Sequence, residues 1–370
     1  MNKLKSLSLA GLLIGATAFW GCNKEEDPII IGEGFTIEEL LELEPNIYFA
    51  GLEWGKHKGK AKLWKRGASR DLTNGNNYAE ALSVHVSGSD VFVAGSEETS
   101  QEGKHIAKLW KNGTARNLTN YGMAHSVFVS GSDVYVAGVS NLSDDYLSWS
   151  ATVWKNSEEP YHLGGTSWAN SVYVSDNIVY ASGNAAAKFG GQGHALLLQD
   201  GVPQFLADVN ANDICLSDAA SVFVSGGNVY VAGFEERQSE GNWIYNRVPM
   251  LWINGEPHKL SAGDVSSSPF SEARSVFVSG SDVYVCGTDK GAQGKRMATL
   301  WKNGVAQNLI DDNSVESHAH CVFVSGNDVY VLLFVQKEMH SDKWSVLWKN
   351  GVAKTISSSD IVINSMFGVD

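Results

Sequence analysis

The chain has 370 residues, of which 19% are charged and 43% hydrophobic, with 38 glycines and a formal charge of −13. That acidic balance, with no clustered basic stretch, excludes a nucleic-acid partner, which needs positive surface laid against phosphates. Sparse charge and abundant glycine instead suit many short strands joined by tight turns.

Residues 1–21 read as an export leader, not as part of the fold. Lys3 and Lys5 precede a mostly apolar run, Leu7–Trp20, shorter than the roughly 20 residues of a comfortable membrane span. Phe19-Trp20-Gly21-Cys22 resembles the cleavage box of bacterial lipoproteins, which implies a lipid on Cys22 and a membrane attachment through it. The following Asn23-Lys24-Glu25-Glu26-Asp27-Pro28 resembles the surface-export signal of Bacteroidota lipoproteins, which implies an outer-membrane, cell-surface location. A solvated tether facing the periplasm is the other reading of that run. Residues 22–45 make an acidic tether and linker, within which Thr36–Leu43 has the pattern of a short amphipathic helix, Thr36 as N-cap and Glu39 three residues on.

From Asn46 to the end the chain repeats. A first strand, A, recurs as SVHV at Ser83, SVFV at Ser126, SVYV at Ser171, SVFV at Ser221 and Ser275, and CVFV at Cys321, at spacings of 43, 45, 50, 54 and 46 residues. A second, B, occurs seven times, as in DVYVAG from Asp133, and a third, C, carries Trp64, Trp110, Trp154, Trp252, Trp301 and Trp348, with LLLQDG at Leu196–Gly201 in the fourth copy. These runs alternate with a two-residue period and are rich in Val, Phe, Tyr and Trp, as strands are. Gly280-Ser281 and Asn303-Gly304 are two-residue hairpin links, the second suited to a type I′ turn. A weaker fourth run, D, follows each Asn-Gly.

A period of roughly 40–50 residues and four strands per unit predict an all-β fold, a seven-bladed β-propeller of four-stranded antiparallel blades spanning 46–370. There are seven B strands and six obvious A strands. Asn364-Ser365-Met366-Phe367-Gly368-Val369-Asp370 mimics Asn170–Asp176, so the C-terminal strand is expected to complete the blade begun near Asn46 and close the ring. An open solenoid is the alternative, and it would want distinct polar caps.

In such a meander the A–B and C–D turns share one face and the B–C and D–A loops the other. The first set is uniformly tight and the second varies in length and content, so recognition is expected on the loop-rich face. One residue ahead of each SVFV motif changes chemistry at every blade: Leu82, His125, Asn170, Ala220, Arg274, His320 and Asn364. His125, Asn170, Arg274, His320 and Asn364 are the candidate ligand-binding residues at the channel mouth, suited to a polar or anionic ligand. The same seven positions also read as a solvated rim above a water-filled channel. The loops also carry aromatics that stack on sugars or anchor proteins: Trp54, Tyr78, Tyr121, Tyr146, Trp149, Trp168, Phe189, Trp243, Tyr245, Phe270 and Trp344.

No cofactor is expected and no metal site is assigned. His318-Ala319-His320 lacks carboxylate partners, and Asp208–Asp213 lacks the glycine and the distal glutamate of a calcium loop. Cys286 and Cys321 replace small residues at strand positions and Cys215 falls in a loop, so the spacing gives no disulfide framework, although a single Cys286–Cys321 bridge stays open. GxSxG, HExxH and phosphate-loop motifs are missing.

DVYVAG followed by an A-x-LWKNG strand resembles the bacterial seven-bladed propeller repeats of secreted proteins. With the leader, the chain resembles a Bacteroidota surface lipoprotein of that type, and the resemblance brings no functional residues. The expected role is an extracytoplasmic binding module that holds a glycan, peptide or partner protein on the loop-rich face. The alternatives are a polysaccharide lyase or hydrolase using His125, Arg274 and His320, and a structural partner in an outer-membrane complex.

Overall fold

The computed structural model describes residues 46–369, apart from 56–57, 66–67, 101–102, 144–148, 157, 187–192, 210–213, 239–244, 262–269, 292–293, 311–315, 337–342 and 358. The expectations for residues 1–45, Cys22 among them, lie outside the described residues.

Seven antiparallel sheets of four strands make the blades of a propeller. Blade two is representative, with strands A (Ala79–Ser87), B (Asp90–Glu98), C (His105–Lys111) and D (Thr114–Asn117) hydrogen-bonded in sequence order. Blade one takes its B, C and D strands from Ile47–Trp54, Gly59–Lys65 and Ala68–Asp71, and its A strand from Ile361–Gly368. Tyr48 is the register partner of Phe367, as the closed ring requires. The chain therefore seals its own ends, and no open edge separates first blade from last.

The turn chemistry follows the sequence. Asn112 and Gly113 sit at φ 50° and 77°, the two left-handed positions of a type I′ link. The asparagine also does a second job. Its Oδ1 accepts from Val91 N–H at 2.9 Å and its Nδ2 donates to Asp90 at 2.7 Å, while Lys111 reaches Asp90 at 2.7 Å. Asn156, Asn303 and Asn350 repeat this bracket with Asp133, Asp282 and Asp328. In these four blades the D, K and N thus clamp the A–B turn to the C–D turn on the tight-turned face.

The core lies between blades, because a single sheet cannot bury both faces. Trp64, Trp110, Trp252 and Trp301 are fully buried there. Trp64 packs in one cluster with Tyr330 and Leu347 of blade seven, and Trp110 in another with Tyr48 and Leu63 of blade one. Both sides of the composite first blade are thus sealed by apolar contact. In five blades every residue of strand D is exposed, so D forms the outer rim and A the inner wall.

Every A strand carries a β-bulge at the same place, between Ala81 and Ser83 in blade two and at the equivalent pairs elsewhere. A bulge leaves one residue unpaired and bends the strand. Opposite it, six blades have the glycine of the VAG motif. A Cβ built on Gly138 would overlap the carbonyl oxygen of Met123, and the same overlap with the bulged strand recurs at Gly51, Gly95, Gly183, Gly233 and Gly287. Blade seven instead has Leu333, whose side chain joins the core against blade six.

Just past the bulge, each motif serine binds the next blade. Ser83 Oγ accepts from Val127 N–H at 3.2 Å, Ser126 from Val172 at 3.2 Å, Ser171 from Val222 at 3.3 Å, Ser221 from Val276 at 3.4 Å and Ser275 from Val322 at 3.3 Å. Ser365 of the C-terminal strand continues the series to Val84 at 3.3 Å. At the remaining junction Cys321 stands in place of serine, its Sγ 3.9 Å from the Met366 carbonyl. The next aromatic position makes a collar: rings run Phe367–His85–Phe128–Tyr173–Phe223–Phe277–Phe323 at centroid distances of 4.5–5.7 Å.

Gly138→Ala should destabilise the chain by about 3 kcal/mol, because backbone must move to admit the methyl group. Gly131→Ala, at a turn glycine of φ 58° with open space around it, should cost about 1 kcal/mol. Chemical unfolding of both variants checks the order, and equal losses would contradict the bulge account.

Candidate functional site

The seven variable residues lie on the loop-facing half of the inner strands, but not ahead of them. Strand A starts earlier than the alternation suggests, and Leu82, His125, Asn170, Ala220, Arg274, His320 and Asn364 are the extra residues of the seven bulges. Unpaired on their own sheet, their side chains turn to neighbours.

Three of them brace adjacent blades in the same way. His125 Nδ1 lies 2.9 Å from the Ala169 carbonyl oxygen, Asn170 Nδ2 donates to the Ala219 carbonyl at 3.2 Å, and Asn364 Nδ2 to the Ala81 carbonyl at 3.0 Å. A carbonyl oxygen only accepts, so the His125 proton sits on Nδ1. Burial pushes this imidazole below the ordinary histidine range and keeps it neutral, which leaves Nε2 as a bare acceptor. Arg274 is engaged by Glu272, Nε to Oε1 at 2.6 Å. His320, on the neighbouring blade, meets the edge of Phe334 at 5.4 Å. Burial and the charge of Arg274 push His320 down to about 3. The structure therefore brings Arg274 and His320 near one another and leaves His125 on blade three.

Two residues before each bulge is a second variable ring that the sequence pattern did not single out: Glu80, Met123, Trp168, Asp218, Glu272, His318 and Val362. The signal was available, because these positions also change chemistry ahead of a constant motif. Glu80, Met123, Trp168, Asp218, Glu272 and Val362 are the residues whose carbonyls crowd the B-strand glycines, so the bulge fixes their placement.

Two sectors result. Across blades three and four, aromatic rings form a continuous row. The Tyr121 edge meets Trp149 at 4.8 Å, Trp149 stacks with Trp168 at 5.7 Å and 19°, and Trp168 with His125 at 6.3 Å and 15°. Lys104 sits over the Tyr121 ring at the outer end. Directly across the strand pair from Trp168 is Asn184, whose Nδ2 donates to Asp218 at 2.7 Å. Asn170 Nδ2 reaches the same carboxylate at 2.9 and 3.1 Å. Burial pushes the Asp218 carboxyl up, against the two amides that hold it down.

Across blades five and six the sector is ionic. Arg247 lies over the Phe234 ring at 4.1 Å and binds Glu236 at 3.1 Å and Glu272 at 3.3 Å. Arg237 binds Glu235 at 3.1 Å. These guanidinium groups are each matched to a carboxylate.

The remaining sequence candidates are placed as follows. His318 Nδ1 is 3.3 Å from Thr288 Oγ1, and among the described residues no group of three or more His, Cys, Asp or Glu is arranged to hold a metal. No disulfide joins Cys215, Cys286 or Cys321, and Cys215, expected in a loop, lies in the extended A strand of blade five, Ile214–Ser225. Trp54 and Phe270 are exposed, Trp54 against Tyr78 at 5.7 Å and Phe270 beneath the Arg296 guanidinium. Tyr146, Phe189, Trp243 and part of the Asp208–Asp213 loop lie outside the described residues.

No protein-family profile and no characterised protein matches the sequence. Solved structures do match the fold. The β-propeller domain of the trilobed protease from Pyrococcus furiosus, described as having an open velcro topology, superposes with a TM-score of 0.53 at 10% identity, over 85% of this chain and 96% of that one. A puromycin-hydrolysing peptidase of Mycobacterium tuberculosis gives 0.52 at 10% identity, over 90% of this chain and 56% of that one. An acylaminoacyl peptidase of Pyrococcus horikoshii gives 0.49 at 11% identity, over 84% and 53%. This chain spans little more than half the length of the two latter peptidases. At such identities the likeness is one of fold, and the chain is a seven-bladed propeller closed by its own last strand.

The buried imidazoles make a pH prediction. Burial pushes His85 from 6.5 down to about 4, and burial with nearby Arg296, Arg274 and Lys343 does the same to His318. Below pH 6.5 the unfolded chain takes up protons at these sites that the folded chain refuses, so stability is complete above the ordinary histidine value and falls as pH drops toward about 4. The urea midpoint should fall between pH 7.5 and 4.5. His85→Phe, which installs the collar residue of most other blades, should reduce that fall, and an unchanged pH dependence would contradict the assignment.

Proposed function

We propose that the chain is an extracytoplasmic binding module, carried on a membrane by lipid on Cys22, that holds a glycan on its loop-rich face. The Tyr121–Trp149–Trp168–His125 row carries this reading. Aromatic faces offer apolar stacking area at low entropic cost, and amides and a carboxylate beside them supply hydrogen bonds. A rigid tight-turned face below and variable loops above suit a scaffold for recognition. The leader's lipoprotein-like Cys22 box supports the anchor, and the run of acidic residues after it supports exposure at the outer surface. Peptides and a partner protein in an outer-membrane complex are the other ligands that the same face would present to.

The enzymatic reading would draw on His125, Arg274 and His320, of which Arg274 is engaged by Glu272 and His125 by the Ala169 carbonyl.

A glycan array on the soluble chain, followed by calorimetry on the hits, tests the binding role. Trp149→Ala with Trp168→Ala should weaken a bound oligosaccharide by about 2 kcal/mol, or roughly thirtyfold, with the fold intact by circular dichroism. Binding that survives both changes would place the ligand elsewhere. Cys22→Ala should move the protein from the membrane fraction to the soluble one, and retention in the membrane would contradict the lipid anchor.

A further inference from the structure

We infer that the aromatic row selects an uncharged pyranose-containing oligosaccharide, stacked on Trp168 and Trp149 and donating a hydroxyl to His125 Nε2. This rests on the binding role proposed above and adds the class of ligand and the residue that reads it.

The choice against charged glycans comes from where the cations are. Among the described residues no lysine or arginine reaches Trp149, Trp168, His125 or Asp218 by a hydrogen bond, ion pair or ring contact. Lys104 is seated over Tyr121, at the far end of the row. Arg247 and Arg274, on the next blades, are already matched to Glu236 and Glu272. An anionic sugar, whether a uronate or a sulfate ester, would lose its water and, among the described residues, meet no unmatched positive group at Trp149, Trp168 or His125, a cost that a neutral sugar does not incur. Next to Trp168, through its strand partner Asn184, stands the Asp218 carboxylate, held by Asn170 and Asn184 with no cation paired to it among the described residues. That edge of the row favours hydroxyl donors and repels anions.

The role of His125 comes from its tautomer. The Ala169 carbonyl fixes the proton on Nδ1, so Nε2 is an acceptor with no protein partner among the described residues. The imidazole lies 6.3 Å from the Trp168 ring with its plane 15° from that of the indole, so a sugar held at Trp168 has the imidazole as its neighbour. Asn170 and Asn364 occupy the equivalent bulge position on other blades and make the same brace to the next alanine carbonyl through an amide. Asparagine therefore serves the structural role there. What histidine adds on blade three is a longer reach, a flat ring and a lone pair in a different place.

That difference supplies the test. Calorimetry on the soluble chain would compare neutral gluco-, xylo- and manno-oligosaccharides with oligogalacturonate and a heparin-derived oligosaccharide. A neutral series should bind and the anionic ones should bind at least tenfold more weakly. His125→Asn should keep the brace to Ala169 and a thermal midpoint close to that of the parent, yet weaken the neutral ligand tenfold or more. In the parent protein the ¹⁵N resonance of His125 Nε2 should shift on ligand addition, as a lone pair accepting a hydroxyl requires. Preferential binding of an anionic glycan, or full affinity in His125→Asn, would overturn the inference while leaving a glycan-binding face in place. Failure of every glycan to bind would overturn the binding role and this inference together.

Discussion

The structure depends on one repeated interaction: a bulge in the innermost strand of each blade, followed in six of the seven by a serine hydroxyl that accepts an amide hydrogen from the next blade. A single four-stranded sheet leaves apolar faces that only a neighbour can cover, so blades must be joined where they approach most closely. The bulge makes that approach possible. It bends the strand, brings its carbonyls against a B strand that has dispensed with Cβ, and leaves the motif serine facing its neighbour. Tryptophans and aliphatic residues then fill the wedge as the blades diverge outward.

The same constraint shapes the candidate site. Because the bulged residue has no partner on its own sheet, its identity is free to vary without cost to the ladder. It can brace the next blade, as asparagine does twice, or present a side chain to the loop-rich face. The residue two positions earlier is held by its carbonyl while its side chain varies from Trp168 to Asp218 to Glu272. Fixed backbone and free side chain, seven times over, give a mouth whose chemistry differs by sector, aromatic across blades three and four and ionic across five and six.

Much of this was legible in the residues. The strand period, the Asn-Gly links and the seven B strands specify the propeller, and the mimicry of Asn170–Asp176 by the last seven residues specifies its closure, seen in the pairing of Tyr48 with Phe367. The bulge was not legible. One extra residue interrupts alternation only locally, so the strand seemed to begin at Ser83 when it begins at Ala79. His125, Asn170 and Asn364 consequently read as channel-facing polar groups, while their bracing of alanine carbonyls depends on backbone atoms that no side-chain pattern reveals. In the sequence Trp168 is one loop aromatic among eleven. Its parallel placement between Trp149 and His125 joins residues of two adjacent blades, and only the packing of those blades brings them together.

The most direct measurement is a crystal structure of the soluble chain soaked with a neutral oligosaccharide that binds in solution. The account predicts a pyranose ring over Trp168 with a hydroxyl within hydrogen-bonding distance of His125 Nε2, and a tight-turned face unchanged from the free protein. A ligand seated on the tight-turned face, or against the outer D strands, would contradict it.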